Sequence, residues 1–328
     1  FKDLIIINTS VALKIIRYFS KMLRHYDNLL TKISFNKQIE ENPGYLFNIG
    51  EFFLNKKKQI ENAYYAFSSY IKYCPNGQNV NKAKNIISKL NFNEKDLQPI
   101  KENFYLTYQP DRIIFLEHEI GNDLFIIKEG NVKIFKIIDD QEILLNMLKE
   151  GDIFGEMAIL EDKLRNACAI THTKVKLIPV NKNNFENIVK NYPEIAVKII
   201  EHISQRIWII HKQIENVLIK DYTARIYGAL YIYLEKDRVP LVKGNSYLFD
   251  LTIPDLLSFC CLNNEEGRIL IKEIMENDKN FQIKDGKIFY KNIENIEKSI
   301  NVIMRKLHLR EGYQKEELFS DYDDILKK

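Results

Sequence analysis

Four of the chain's twelve glycines, Gly121, Gly130, Gly151 and Gly155, fall within 35 residues, between short runs of β-branched and aromatic side chains. Glycine at that density lets a chain reverse where other residues are strained, and alternating runs between such reversals are strands. Leu124–Ile127, Val132–Ile138, Ile143–Leu148, Ala167–Thr171 and Val175–Val180 are the strand candidates. Residues 99–190 are therefore expected to close into a small, jelly-roll-like β-roll.

A chain of 328 residues exceeds what one such roll uses, so further domains are expected. The surroundings of the roll read as helical, which makes the whole an α+β multidomain chain. With 48 basic against 45 acidic side chains the net charge is only +3, so no overall field draws the protein to polyanions or lipid. No run of 18 apolar residues occurs, which excludes a spanning helix and predicts no membrane partner. Cys74, Cys168, Cys260 and Cys261 lack the spacing of a zinc or iron–sulfur ligand set. They are expected to be reduced thiols of a cytoplasmic protein that holds no metal. Residues 1–41 form an N-terminal segment of undetermined helical character, in which Leu4–Ile7 is too short to span a membrane, Lys14 and Arg17 interrupt the apolar stretch that a signal peptide would need, and Met22 is a candidate start.

Residues 42–92 read as three helices, with Leu46, Ile49 and Phe53 on one face and Ala63, Phe67 and Tyr70 or Ile71 on the next. The order Gly50, Ala63, Phe67, Pro75 resembles a tetratricopeptide repeat, with one extra residue near Lys56–Lys58. Whether repeat-like or a plain helical extension, the segment would offer a surface to a protein partner. After Pro193, within residues 191–220, Ala196, Ile200, Ile203, Ile207, Ile210, Ile214 and Val217 recur at alternating steps of four and three. That 3.5-residue repeat makes one apolar seam and predicts a homodimer helix. Residues 221–311 give a helix, a helix-turn-helix candidate at Ile253–Met275 and a hairpin around Asp285-Gly286, which together predict a winged helix. Residues 312–328 are a charged tail.

The stretch Gly151-Asp152-Ile153-Phe154-Gly155-Glu156-Met157-Ala158-Ile159-Leu160, followed by Arg165-Asn166-Ala167, resembles the phosphate-binding cassette of cyclic-nucleotide-binding domains. Ile120–Val132 resembles the same family's first hairpins, so the likeness spans about residues 100 to 220. A cyclic phosphodiester is a monoanion that needs a guanidinium fork and close backbone donors. Arg165 supplies the fork, and Gly155 permits close approach. By the resemblance Glu156 accepts the ribose hydroxyl, Met157, Ala158 and Ala167 line the site, and Asn166 donates to phosphate. Leu164 departs from the proline usual before the arginine. In such domains polar residues of the long helix read the base, which would make His211 a ligand contact; a half-exposed helix histidine is the alternative reading. The effector implied is cyclic AMP or cyclic GMP.

Asp221-Tyr222-Thr223-Ala224-Arg225-Ile226 is similar to the junction between dimer helix and DNA-binding domain in Crp/Fnr-type transcription regulators. That family also contains iron–sulfur and haem sensors, and the missing amino-terminal cysteine cluster disfavours the iron–sulfur type. The first turns of a recognition helix would offer Asn263, Asn264, Glu265 and Arg268 to base edges. Glu265 and Glu266 oppose a polyanion, however, and Gly267 weakens a helix. No P-loop, HExxH or GxSxG motif supports an enzyme. The resemblance therefore implies a cyclic-nucleotide-responsive transcription regulator, with a nucleotide-gated interaction module that does not bind DNA as the alternative.

Overall fold

A computed structural model describes residues 8–36, 42–90, 92 and 97–301. Residues 1–7 and the charged tail at 312–328 lie outside them. The chain divides into two compact units, one ending at Leu218 with Cys261–Asn263 added, the other made of Ile219–Cys260 and the residues from Asn264 on. Among the described residues no helix is long and apolar enough to cross a membrane.

The first unit opens with helix α1, Thr9–Phe35, whose start is fixed by the Asn8 side chain accepting from the Val11 N–H at 3.2 Å. It ends where Asn36 turns left-handed at φ 52°. The helix runs unbroken through Met22. Next come α2 (Tyr45–Phe52), α3 (Ile60–Tyr73) and α4 (Val80–Lys89). Between α2 and α3, Phe53–Lys57 form a π-helical turn. A Cβ on Gly50 would lie 2.6 Å from the Phe67 ring, so this glycine is what allows the pair to nest. The apolar core of these helices continues into the roll through Ile113, Leu116, Phe135, Cys168 and Ile170.

The roll consists of β1 (Ile100–Glu102), β2 (Tyr105–Tyr108), β3 (Ile113–Phe115), β4 (Asp123–Glu129), β5 (Val132–Ile138), β6 (Gln141–Leu148), β7 (Ile153–Phe154), β8 (Cys168–Thr171) and β9 (Val175–Asn181). They form two antiparallel sheets, ordered β1-β2-β9-β4-β7 and β3-β8-β5-β6. All five strand candidates are strands. Between β7 and β8 lies the short helix α5, Glu156–Glu161. After β9 come α6 (Lys182–Asn191) and the long α7 (Pro193–Val217), which Pro193 opens at its first turn.

Of the seven seam residues of α7, all but Ile207 are buried within this single chain. Their cover is α1, which packs along α7 in the same unit. The periodicity marks a face that another helix must cover, and within this chain α1 packs along it. At the far end, Gln213 donates to the Leu144 carbonyl at 2.9 Å and ties α7 to β6.

The second unit contains α8 (Tyr222–Lys236), β10 (Tyr247–Leu248), α9 (Ile253–Phe259), α10 (Asn264–Asn277), β11 (Phe281–Lys284) and β12 (Lys287–Tyr290). A capping box between Thr252 and Asp255 starts α9. The three strands pair in the order β10-β12-β11, and Asp285 and Gly286 turn the hairpin with φ 51° and 75°. Gly267, which weakens α10 on propensity alone, is buried. A Cβ there would lie 2.6 Å from Leu257, so it is retained for the approach of α9.

Candidate functional site

The cassette is assembled where β7 meets α5. Gly155 holds φ 79°, a left-handed conformation that side chains disfavour, and so swings the chain from strand into helix. Arg165 is placed by two backbone bonds to the loop before β4: its N–H donates to the Glu119 carbonyl at 2.8 Å, and its own carbonyl accepts from the His118 N–H at 2.9 Å. Glu119 is in turn held by Ser69 Oγ at 2.5 Å and Tyr65 Oη at 3.3 Å, so the helical segment at 42–90 braces this loop.

The Arg165 side chain is 6% exposed and lies over the Phe115 ring at 4.1 Å. Nη1 donates to the Gly155 carbonyl at 2.6 Å and Nη2 to the Asp123 carbonyl at 2.7 Å. Burial pulls its guanidinium down from the usual range, opposed by the negative charges of Glu119, Asp123 and Glu156. Glu156 is 1% exposed, and its Oε1 accepts from Arg206 Nη1 of α7 at 2.7 Å. Arg165 Nε and Glu156 Oε2 are buried without a hydrogen bond.

Helix α1 closes the cassette from outside. Arg24 donates through Nε to Glu161 Oε2 at 2.7 Å, through Nη1 to Asn166 Oδ1 at 3.3 Å and through Nη2 to the Leu164 carbonyl at 3.2 Å. Ser20 Oγ adds a 2.6 Å bond to Glu161. Asp27, only 3% exposed, accepts from Asn166 Nδ2 at 2.6 Å. Burial raises the Asp27 carboxyl to about 6, although Lys136, Arg206 and Arg24 pull the other way; Glu117 adds to the rise. A cavity of about 30 Å³ remains, bordered by Asp27, Phe115, Phe154, Gly155, Arg165 and Arg206.

Gly155, Met157, Ala158, Arg165, Asn166 and Ala167 therefore line one cavity, as their grouping in sequence implied, and Glu156 joins them through Arg206. His211 does not line it. Its ring packs edge-on against Tyr26 at 6.1 Å and its Nδ1 lies 3.6 Å from Glu215, because this position of α7 turns toward α1. The Asn166 side chain is bound by α1 at both ends. Sequence reasoning missed Arg206, Arg24 and Asp27. Arg206 lies one residue off the apolar seam, and Arg24 and Asp27 lie in an N-terminal segment with no motif to mark them.

The residue types suit a cyclic nucleotide: a buried guanidinium, whose Nη atoms are engaged by the Gly155 and Asp123 carbonyls, and a buried carboxylate with one unbonded oxygen are the groups that a phosphodiester monoanion and a ribose hydroxyl would take. Sites for ligands of that size have volumes of roughly 300 to 1,000 Å³. The cassette must therefore open to admit one. Asn264, Glu265 and Arg268 are exposed on the first turns of α10 in the second unit, and Asn263, which groups with the first unit, is exposed just before them in sequence.

A family profile described as "Cyclic nucleotide-binding domain" matches residues 105–192. The chain is 26% identical over 133 residues to the CRP-like cAMP-activated global transcriptional regulator of Mycobacterium tuberculosis, a match covering 40% of this chain and 57% of that protein. It is 23% identical over 135 residues to the cyclic AMP receptor protein of Thermus thermophilus, covering 41% and 62%. The chain thus spans less than two thirds of either relative's length. A CooA mutant from Carboxydothermus hydrogenoformans shares the fold at a TM-score of 0.50, with 14% identity over 62% of this chain and 99% of that one. Residues 105–192 thus match a cyclic nucleotide-binding domain, in a chain whose relatives include regulators of the Crp/Fnr type alongside cAMP-dependent protein kinase regulatory subunits.

Proposed function

We propose that the protein is a regulator switched by cyclic AMP or cyclic GMP, without a reaction of its own, acting in the cytoplasm on DNA through α9, α10 and the β11–β12 hairpin as a winged helix. The observation that carries the reading is that the buried Arg165 guanidinium lines the cassette cavity together with Arg206, which holds the buried Glu156 carboxylate, whose Oε2 has no hydrogen bond. Glu156 also grips Arg206, so a ligand that bonds Glu156 pulls on α7, the helix that leads to the second unit in the chain. The helical segment at 42–90, nested like a tetratricopeptide pair, offers a face to a protein partner while bracing Glu119.

A second reading has support in the charges. Residues 220–298 carry twelve basic and thirteen acidic side chains, and Glu265 and Glu266 are exposed on the first turn of α10. Without a basic surplus, DNA affinity is modest and falls with salt. The test is selection from random DNA at low salt, with and without cyclic nucleotide. Enrichment of one sequence only with nucleotide supports the regulator. No enrichment under either condition transfers the role of the second unit to protein docking.

A further inference from the structure

Helix α1 repeats α7. With an offset of 184 residues and no gap, Ala12, Lys14, Ile15, Ile16 and Ser20 coincide with Ala196, Lys198, Ile199, Ile200 and Ser204. Opposite the seven seam positions of α7 stand Ala12, Ile16, Phe19, Leu23, Tyr26, Leu30 and Ile33, all apolar and spaced by the same alternating four and three. The likeness extends upstream in sequence, where Phe1, Leu4 and Ile5 match Phe185, Ile188 and Val189 of α6. The two helices also begin at matching residues, Thr9 and Pro193.

They run side by side in the same direction. Along α1, Arg17 meets Glu186 of α6, Arg24 meets Glu161 of α5, and Asn28 meets Lys136 of β5. Along α7, Arg206 meets Glu156 of α5, and then Gln213 meets Leu144 of β6, the neighbour of β5. The ring contact between them pairs Tyr26 with His211, one residue from its repeat position. Parallel helices with a shared 3.5-residue seam pair in this register, as two copies of one helix do across a twofold axis.

The copies differ where they are polar. Arg24, which holds Glu161 and Asn166, stands opposite Trp208 in the repeat, and Asp27, which accepts from Asn166, stands opposite His211. Arg206, which holds Glu156, stands opposite Met22. Two α7 helices from separate chains would keep the apolar seam but place Trp208 and His211 where Arg24 and Asp27 make these bonds.

We propose that α1 is a built-in second copy of α7, which takes the place of a partner subunit's helix, so that the chain pairs with itself along the isoleucine seam and closes its own cassette with Arg24 and Asp27. A second copy of the chain is then not required to cover that seam. The inference does not depend on the ligand's identity, and nucleotide-free protein tests it.

The full chain carrying Tyr26→Cys and His211→Cys is treated with a short bismaleimide, with the wild type and each single variant as controls for Cys74, Cys168, Cys260 and Cys261. The expected product is a link between residues 26 and 211 inside one chain of 38.8 kDa. The proposal is overturned if that link occurs only in covalent dimers, which means exchanged α1 helices. It is equally overturned if His211→Cys alone yields dimers linked through residue 211, which means α7 against α7. Because Tyr26 is buried, a second pair at the exposed ion pair, Arg17→Cys with Glu186→Cys, repeats the test without disturbing packing. Folded protein in which neither pair links within one chain also refutes it.

Discussion

Replacing Asp27 with Asn should strengthen the docking of α1 at neutral pH and leave it unchanged in acid. The carboxyl is buried, and its titration is lifted from 3.8 to about 6. That difference is worth about 3 kcal/mol between the ionised and protonated forms. The sign follows from linkage. A carboxyl raised in the docked state binds its proton more tightly there than when α1 is free, so docking is most favourable below the free value and weakens as pH rises through about 6. Asparagine keeps an oxygen to accept from Asn166 Nδ2 and never ionises. Hydrogen exchange of the α1 amides, corrected for intrinsic rates, reads the opening free energy directly. Near pH 3, below the free value, the variant and wild type should agree. At pH 7.5 the variant should be more protected, by about 2 to 3 kcal/mol, or roughly 30- to 150-fold. Equal protection at both pH values, or a less protected variant at pH 7.5, refutes the reasoning. Either result would mean that Lys136, Arg206 and Arg24 outweigh burial and hold a stable carboxylate.

Arg206→Ala leaves Glu156 buried without its cation, which should destabilise the first unit by roughly 3 to 5 kcal/mol, read as a lower denaturation midpoint. Gly267→Ala discriminates by sign: propensity alone predicts a gain of about 1 kcal/mol, whereas the Cβ pressed against Leu257 predicts a lower melting temperature. Arg268→Ala, at an exposed position, should leave the melting temperature within about 1 °C and reduce affinity for a selected DNA site by about 1 to 3 kcal/mol in a gel-shift titration.

The roll was legible because its strands are long enough to show alternation and its turns need glycine. β1, β3 and β7 span two or three residues each and carry no period. The cassette could be found because Gly155, Glu156 and Arg165 lie close together in sequence. Its outer wall could not, since Arg24 and Asp27 are separated from Asn166 by 142 and 139 positions. Periodicity marked the α7 face as one to be covered, but it does not say whether the cover comes from the same chain. The offset repeat of α1 does carry that information, in a segment that local patterns alone left without a role. Gly267 shows the opposite limit: its helix-weakening propensity is visible in sequence, while the neighbour that requires it, Leu257, is visible only once the helices pack.

Calorimetric titration of the full chain with cyclic mononucleotides and cyclic dinucleotides, alongside Arg165→Ala, tests the cassette most directly. Wild type should bind cyclic AMP or cyclic GMP, and loss of the buried guanidinium should weaken binding by roughly 3 to 5 kcal/mol, about two to four decades. No heat with any cyclic nucleotide, or a folded Arg165→Ala that binds as tightly as wild type, would contradict the assignment.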